Sequence, residues 1–237
     1  MRVLVLTTDT LHHAYFVREL VSQVSRLHVI LETTGIKPTF DVAHPFELLR
    51  DQYERDEWFK GGKPAVGDFA AVTTCANVND SDAVESATRF VPDITVAFGI
   101  RKAESALIRA AGTRVVNLHG GDPEFYRGLD SHLWAIYHSD FKNLVTTLHI
   151  LNETLDDGPI IGIRSVSVCR NMRLYQLRHH NTESALELTR VALDELRRTG
   201  DVSSRRQRQT GRYYSFMPAV LKEVCVKRFE KHCAGLA

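Results

Sequence analysis

The first half of the chain alternates short apolar runs with segments of helical periodicity. Apolar runs at residues 2–7 and Leu27–Leu31 flank a segment, Leu11–Val24, whose apolar positions recur at a spacing of four. Strands that alternate with helices build βαβ units, and repeated βαβ units form a parallel sheet. The sequence therefore predicts an α/β fold with a doubly wound, mainly parallel sheet.

The same patterns predict the remaining elements. Strands are predicted at Phe69–Thr73, Ile94–Gly99, Arg114–Leu118, Leu144–Leu151 and Pro159–Val168, and helices at Phe46–Phe59, Ala83–Phe90, Ser105–Ala111, Ser131–His138 and Thr182–Arg198. The inward side chains of the last helix are expected to be Leu186, Val191, Leu193 and Leu196. Residues 201–212 are polar and predict a mobile connector, which an aromatic and then basic amphipathic segment follows. We therefore divide the chain into a main domain, residues 1–200, and a short C-terminal extension, residues 201–237.

The composition excludes several classes of protein. The chain has 237 residues and a formal net charge of +1, which provides no electrostatic basis for binding nucleic acid. Its four cysteines are scattered without paired spacing, which argues against a zinc site and a disulfide scaffold. The apolar N-terminal run is too short for a signal peptide, and no run reaches the ~18 apolar residues that a membrane span needs. We expect a cytoplasmic protein without a metal ion.

Two polar residues mark the carboxyl end of the strand predicted at Arg114–Leu118. Asn117 and His119 alternate, so their side chains point to the same side of the strand. In an open α/β sheet, ligands bind at the carboxyl ends of the strands. An amide that cannot ionise beside an imidazole that titrates near neutrality suits the handling of a carbonyl group. The alternative is a polar strand end in which a backbone carbonyl satisfies His119.

A second polar feature is the turn at residues 153–158, which precedes the apolar strand Pro159–Val168. Acidic residues and glycine favour turns, so turn formation alone explains the pattern. The turn also supplies a carboxylate as a third member beside Asn117 and His119.

Two other features compete with this site. His12 and His13 follow the first strand, where a dinucleotide-binding protein carries glycines that let the backbone approach a phosphate. Residues 7–15 contain no glycine, which rules out that fingerprint, and packing is the expected role of at least one of the histidines. A basic run, interpreted as either solvated surface or a phosphate contact, comprises Arg205, Arg206, Arg208 and Arg212.

Asn-x-His at 117–119, Tyr-Arg-Gly at 126–128 and Leu-Asp-x-Gly at 155–158 together resemble the motifs of the 10-formyltetrahydrofolate-dependent formyltransferases. The resemblance covers roughly residues 1–168 and includes Pro92–Gly99, which looks like the family's strand beside the folate pocket. It implies a Rossmann-like catalytic domain and N10-formyltetrahydrofolate as the formyl donor. The implied catalytic residues are Asn117, His119 and Asp156, and the implied folate contacts are Phe98, Gly99, Ile100, Arg101 and Gly158.

One loop departs from the family pattern. The family commonly has His-x-Ser-Leu-Leu-Pro, whereas Gly121-Asp122-Pro123 stands here with the proline one place early. Residues 8–15 lack the phosphate loop of the glycinamide ribonucleotide enzymes. Residues 201–237 are too few for the RNA-binding domain of the initiator-tRNA enzymes, and the N-terminal domain usual in the hydrolases is not expected. The chain looks most like the short sugar N-formyltransferases.

That branch implies a nucleotide-linked amino sugar as the acceptor, with dTDP-4-amino-4,6-dideoxyglucose as the best candidate, and a product used in surface polysaccharide. The implied acceptor contacts are His12, Gly121, Asp122, Tyr126, Arg127, Tyr213 and Tyr214. For Arg127, hydrogen bonds that stabilise the loop are an equal alternative. For Tyr213 and Tyr214, the alternative is packing in the core or in a dimer interface. A homodimer formed through the C-terminal part is expected. The alternative functions are a hydrolase of the same folate, a transferase to another amine and a ligand-binding module without activity.

Overall fold

The computed structural model describes residues 1–236. The strands are β1 (Arg2–Thr8), β2 (Arg26–Glu32), β3 (Ala71–Cys75), β4 (Ile94–Phe98), β5 (Val115–His119), β6 (Tyr126–Gly128), β7 (Val145–Ile150), β8 (Ile160–Ser165) and β9 (Arg212–Tyr214). The α-helices are α1 (Leu11–Val21), α2 (Pro45–Phe59), α3 (Ser81–Phe90), α4 (Ser105–Ala110), α5 (Ser131–Tyr137), α6 (Leu177–Thr199) and α7 (Ala219–Ala234).

Seven strands form one sheet in the order β3-β2-β1-β4-β5-β7-β8. The pairs among β1 to β5 are all parallel, whereas β7 runs antiparallel to both of its neighbours, β5 and β8. A separate two-stranded parallel ladder joins β6 and β9. The prediction of a doubly wound, mainly parallel sheet is confirmed.

The side chains of β1 show how helices cover both faces of the sheet. Val3, Leu4, Val5 and Leu6 are all fully buried, as expected for a central parallel strand. Because side chains alternate along a strand, Val3 and Val5 pack with residues of α1 and α6. Leu4 and Leu6 pack on the other face with residues of α3 and α4. The continuous apolar run at Val3–Leu6 is thus explained by burial on two sides.

The start of α6 differs from the prediction. The helix begins at Leu177, and Thr182 lies inside it, where its hydroxyl donates to the Arg178 carbonyl at 2.8 Å rather than capping the first turn. Val191, which was expected to point inward, is 56% exposed. It lies two residues from Leu193, which is fully buried, and a spacing of two places residues on nearly opposite faces of a helix.

The C-terminal residues pack closely onto the rest of the fold. Cys225 and Phe229 of α7 are fully buried in a second apolar cluster with Ile136 of α5. The expectation of a mobile connector at 201–212 is wrong for residues 205–212, because backbone hydrogen bonds join Arg205 to Ile160 and Arg212 to Phe125. In residues 1–236, no helix is long and apolar enough to cross a membrane.

Candidate active site

A cleft of about 490 Å³ opens at the carboxyl ends of β1, β4 and β5. Because β1 lies between β2 and β4, the winding of the chain reverses direction between β1 and β4. Open α/β sheets bind ligands at such a point, where the loops of neighbouring strands diverge. His12 after β1, Phe98 in β4 and Asn117 in β5 all line the cleft. We therefore take the cleft as the candidate active site.

Three polar side chains meet in this cleft. β5 supplies Asn117 and His119, whereas Asp156 comes from the turn between β7 and β8. His119 Nδ1 lies 3.5 Å from Asp156 Oδ2, and Asn117 Nδ2 lies 3.4 Å from Asp156 Oδ1. His119 is only 6% exposed and Asp156 only 8%. The structure thus brings together the three residues that the motifs singled out.

The backbone determines which nitrogen of His119 exchanges a proton. His119 Nε2 lies 2.8 Å from the Tyr126 carbonyl oxygen, which can only accept a hydrogen bond. Nε2 therefore carries a proton in this arrangement. Nδ1, on the side of Asp156, is the nitrogen left to exchange a proton with a reacting group.

Both oxygens of the Asp156 carboxylate have polar neighbours. The Gly128 N–H donates to Oδ2 at 2.7 Å, on the side that faces His119. Burial favours the neutral acid, but it is outweighed by the charge of His119 and by hydrogen bonds from His149 and Gly128, which hold the pKa of Asp156 well below its usual range. Asp156 is therefore a carboxylate at neutral pH.

The turn that carries Asp156 has an unusual backbone. Asp156 has a φ of 51°, in the left-handed region that aspartate tolerates better than most residues. A Cβ at Gly158 would lie 1.7 Å from the Ile150 carbonyl oxygen, so only glycine fits there. Gly158 lies behind the cleft wall, and it permits the approach of the turn to β7 rather than contacting a ligand.

His149 on β7 completes the polar cluster. Its Nε2 lies 3.1 Å from Asn117 Nδ2 and 3.5 Å from Asp156 Oδ1, and the residue is 2% exposed. Sequence reasoning missed His149 because it is a single histidine within a strand that was predicted from its apolar residues. The signal for His149 is the antiparallel register of β5 and β7, which places it opposite Asn117. The periodicity of a sequence does not reveal this register.

Four of the five residues expected beside the folate line the cleft, and Gly158 does not. Phe98, Gly99, Ile100 and Arg101 all line the cleft. The Arg101 guanidinium pairs with buried Glu32 at the end of β2, so its charge is already balanced within the protein.

Another wall of the cleft contains two arginines that sequence reasoning also missed. Arg50 of α2 and Arg178 of α6 both line it. Arg178 contacts Asp51 at 2.8 Å and the fully buried carboxylate of Glu54 at 2.6 Å. Burial, followed by the charges of His13 and the two arginines, lowers the pKa of His12 well below its usual value, so His12 is neutral at pH 7. Charged residues within polar helical segments offered no signal that these two would face a cavity.

Residues 49–189 match the family model described as formyl transferase, and this stretch is more than half of the chain. The chain belongs to the formyl transferase family. Membership confirms the enzyme class and the folate donor that the motifs implied. Within residues 1–236 of this formyl transferase, no group of three or more histidine, cysteine or acidic side chains is arranged to hold a metal ion.

Solved structures share the fold of this formyl transferase at low identity. A sugar N-formyltransferase from a Shewanella species is 16% identical with a TM-score of 0.63, over 97% of this chain and 88% of that one. PseJ from Anoxybacillus kamchatkensis, in complex with UDP-4,6-dideoxy-4-formamido-L-AltNAc and tetrahydrofolate, is 19% identical with a TM-score of 0.50, over 91% and 86%. HypX from Aquifex aeolicus, in complex with tetrahydrofolic acid, is 18% identical with a TM-score of 0.61.

The alignment with HypX covers 99% of this chain but only 34% of HypX. None of the curated proteins compared with the chain matches it in sequence. At these identities the likeness to solved structures establishes the fold alone.

Two of the residues expected to contact the acceptor line the cleft of this formyl transferase. They are His12 and Tyr213, and the Tyr213 side chain is 55% exposed. Arg127 donates through Nε to the Leu155 carbonyl at 2.9 Å, which is the loop-stabilising alternative. The Tyr214 ring stacks on Trp134 with ring centroids 4.9 Å apart, which is the packing alternative.

The remaining three have partners inside the protein. The Tyr126 hydroxyl donates to Asp140 at 3.0 Å, and Asp122 accepts from the Glu124 N–H at 2.9 Å. The Gly121 carbonyl accepts from the Thr147 hydroxyl at 2.7 Å. The structure does not support the expectation that these three contact the acceptor, because each is committed to holding the loop behind the cleft.

Proposed function

We propose that this formyl transferase moves the formyl group of N10-formyltetrahydrofolate onto the amine of a nucleotide-linked amino sugar, for which dTDP-4-amino-4,6-dideoxyglucose is the best candidate. The observation that carries the proposal is the contact of Asn117, His119 and Asp156 inside a cleft with two kinds of wall. One wall is mainly apolar and suits the rings of a folate. The other carries arginines and suits a nucleotide diphosphate.

The chemistry calls for hydrogen-bond donors where negative charge develops. When an amine attacks the formyl carbon, that charge appears on the formyl oxygen. The Asn117 amide of β5 can donate to it from the start, and His119, on the same strand, can do so once its Nδ1 has taken the proton of the attacking amine. In well-studied oxyanion holes, loss of one such donor lowers kcat by about 10²–10³-fold.

The reaction also calls for proton transfer. The attacking amine must lose a proton, and the folate nitrogen that leaves must gain one. His119 Nδ1 is the group of this chain that can carry that proton, since Nε2 is committed to the Tyr126 carbonyl. Asp156, ionised and 3.5 Å away, stabilises the charged form of His119.

The residues of the apolar wall fit a folate. Ile100, Ala103, Leu151 and Leu155 contribute aliphatic side chains to the cleft beside Phe98. An apolar slot with a few polar groups at its base is the usual form of a small-molecule site. When bound there, N10-formyltetrahydrofolate supplies the activated formyl group.

Two groups support a nucleotide sugar as the acceptor. Arg50 and Arg178 line the cleft close enough for each to lower the pKa of His12. Both also pair with Asp51, and the guanidinium N–H groups that these ion pairs leave over suit the oxygens of a diphosphate. Tyr213 presents a ring that is 55% exposed and that can stack on a base. PseJ, whose structure contains a nucleotide-linked 4-formamido sugar, is an example of this acceptor class on the same fold.

The test is an assay with purified protein, N10-formyltetrahydrofolate and a panel of dTDP- and UDP-linked 3-amino and 4-amino sugars. Mass spectrometry should show the gain of one CO unit by the dTDP-linked 4-amino sugar, which becomes an N-formylated building block for surface polysaccharide. Formate release at the same rate without any acceptor would indicate a hydrolase. A gain on a different amine alone would refute the acceptor assignment and leave formyl transfer standing.

A variant separates the acceptor wall from the chemistry. Arg50→Met should raise the KM for the nucleotide sugar and leave the KM for the folate unchanged. Arg89→Met, which removes an 80% exposed arginine of α3, is the control.

The homodimer is a further part of the proposal, and light scattering of the purified protein should show twice the mass of one chain.

A further inference from the structure

Residues 124–128 contact two members of the proposed catalytic group at once. The Tyr126 carbonyl accepts from His119 Nε2 at 2.8 Å, and the Gly128 N–H donates to Asp156 Oδ2 at 2.7 Å. Both contacts are made by backbone atoms. The geometry of the site therefore depends on where this segment of main chain is held.

A second segment, residues 205–209, which we name the C-terminal strap, holds it. Arg205 donates through Nη1 and Nη2 to the two carboxylate oxygens of Glu124, at 2.8 and 2.9 Å. The Arg208 N–H and the Gln209 side chain also donate to Glu124. A bidentate pair of this kind is strong and directional, and Glu124 is 6% exposed. The strap thus grips the chain two residues before Tyr126.

The central residue of the strap reaches the Asp156 turn directly. Gln207 Nε2 donates to the Asp156 carbonyl at 2.9 Å and to the Gly158 carbonyl at 3.0 Å. Carbonyl oxygens only accept, so the amide must present its nitrogen to both. Gln207 Oε1 is consequently buried with no hydrogen-bond partner among residues 1–236. An orphaned acceptor is unfavourable, which indicates that contact with the turn imposes the orientation of this amide.

The turn needs such support. Asp156 has a φ of 51°, and a non-glycine residue persists in the left-handed region only when its surroundings hold it there. Gly128 holds the carboxylate of Asp156 from one side, and Gln207 holds its backbone from the other.

We propose that Gln207 is a positioning residue for formyl transfer, whose amide keeps the Asp156 turn in place so that the carboxylate faces Asn117 and His119. The proposal rests on the catalytic role proposed above for Asp156. Gln207 is not one of the cleft-lining residues and acts through the backbone of the turn.

The first test is Gln207→Met, which keeps the length of the side chain and removes both donated hydrogen bonds. It should lower kcat by about 10- to 100-fold, because a displacement of about 1 Å at a reacting group has an effect of that size, with little change in either KM. Gln207→Lys, which retains N–H donors on a long side chain, should recover most of the rate. The matched control is Gln23→Met, since the Gln23 amide also donates to a backbone carbonyl, that of Glu19, at 2.7 Å but away from the cleft.

A double-mutant cycle distinguishes positioning from general destabilisation. If Gln207 acts through Asp156, Gln207→Met has no further effect on kcat in an Asp156→Asn background. An equal fall in both backgrounds would overturn the proposal, as would wild-type kcat in a folded Gln207→Met. If thermal unfolding shows that Gln207→Met does not fold, Gln207→Glu takes its place, because it keeps the shape and sets a carboxylate against the two carbonyls.

Two further outcomes separate this proposal from the proposed function. Wild-type kcat in Asp156→Asn would overturn the role of Asp156 and, with it, the role of Gln207. A slow Asp156→Asn beside a fast Gln207→Met would overturn only the latter. A crystal structure of Gln207→Met should show a displaced Asp156 turn, and an unchanged hydrogen bond from Gly128 to Asp156 would contradict the proposal whatever the acceptor.

Discussion

The backbone N–H of Gly128 donates a 2.7 Å hydrogen bond to the carboxylate of Asp156, 28 positions further along the chain. This bond joins the Tyr-Arg-Gly motif to the Leu-Asp-x-Gly motif in space. A main-chain donor cannot change its protonation state, so it supports the carboxylate at every pH at which the protein is folded. The two motifs therefore form one structural unit, with the strap residue Gln207 behind it.

Gly128→Ala should damage both the fold and the rate. Gly128 has a φ of +90°, and a Cβ there would lie 2.2 Å from the Tyr214 carbonyl oxygen. We expect the free energy of unfolding to fall by about 1–3 kcal/mol and kcat to fall as Asp156 moves. Urea unfolding and the formyl-transfer assay measure the two effects. Gly35→Ala is the control, since a Cβ at Gly35 meets nothing within 4 Å, and equal behaviour of the two variants would contradict this account.

His149→Leu should lower kcat by about tenfold or more, which corresponds to about 1.4 kcal/mol of lost transition-state stabilisation. The imidazole lies 3.1 Å from the Asn117 amide and 3.5 Å from Asp156, so its loss frees both side chains to move. His28→Leu is the control, because His28 also lies on a strand of the sheet but contacts Thr73 and Ser86 instead. If steady-state kinetics gave the same kcat for the two variants, His149 would have no role in the site.

The Glu124 carboxylate should make stability depend on pH below about 5. The hydrogen bond from Arg205 lowers the pKa of Glu124 from 4.5 to about 2. A carboxyl whose folded pKa is depressed stabilises the fold fully above its unfolded pKa, and that contribution is lost as the pH falls from 4.5 toward 2. Glu124→Gln should therefore be less stable than the wild type at pH 7, and the difference should shrink below pH 4.5. A difference in unfolding free energy that stays constant from pH 7 to pH 3 would exclude this linkage.

Arg178→Met should destabilise the fold by leaving Glu54, which is fully buried, without its cation. Breaking a buried ion pair by removing one partner costs about 3–5 kcal/mol, and the lower end applies here because the Arg178 side chain is 23% exposed. The double variant Arg178→Met/Glu54→Leu should recover most of the loss. Urea unfolding measures the stability of each variant. If the double variant did not recover stability, Arg178 would act through contacts other than Glu54.

The parallel strands were the part of the fold most open to prediction. The central residues of β1 and β4 are buried on both faces and are mainly apolar, and such runs stand out from the helical periodicity around them. The first turn of α6 was not predicted, because its position depends on a tertiary contact. Leu177, its first residue, is buried in the second apolar cluster, and no capping residue marks this start in the sequence.

The candidate site also contains some residues whose placement the local sequence predicts and others whose placement it does not. Asn117 and His119 alternate on one strand, so local geometry alone places them on the same side. Arg127, from the Tyr-Arg-Gly motif, stabilises a loop, and Tyr214, from the C-terminal aromatic segment, packs on Trp134. The chemistry of a side chain indicates what it can bind, whereas its neighbours in space determine whether it is free to do so.

By itself, the sequence determined the α/β class, the mainly parallel sheet and the placement of Asn117 and His119 on one side of a strand, because burial and strand alternation are written in neighbouring positions. Asp156 was implied only by the resemblance of its motif to the family. Only the tertiary structure decided that His149 faces Asn117 across an antiparallel pair and that Gln207 supports Asp156 from 51 positions away. Contacts between distant segments depend on strand register and on the path of the chain, and the period of a short apolar run contains no information about either.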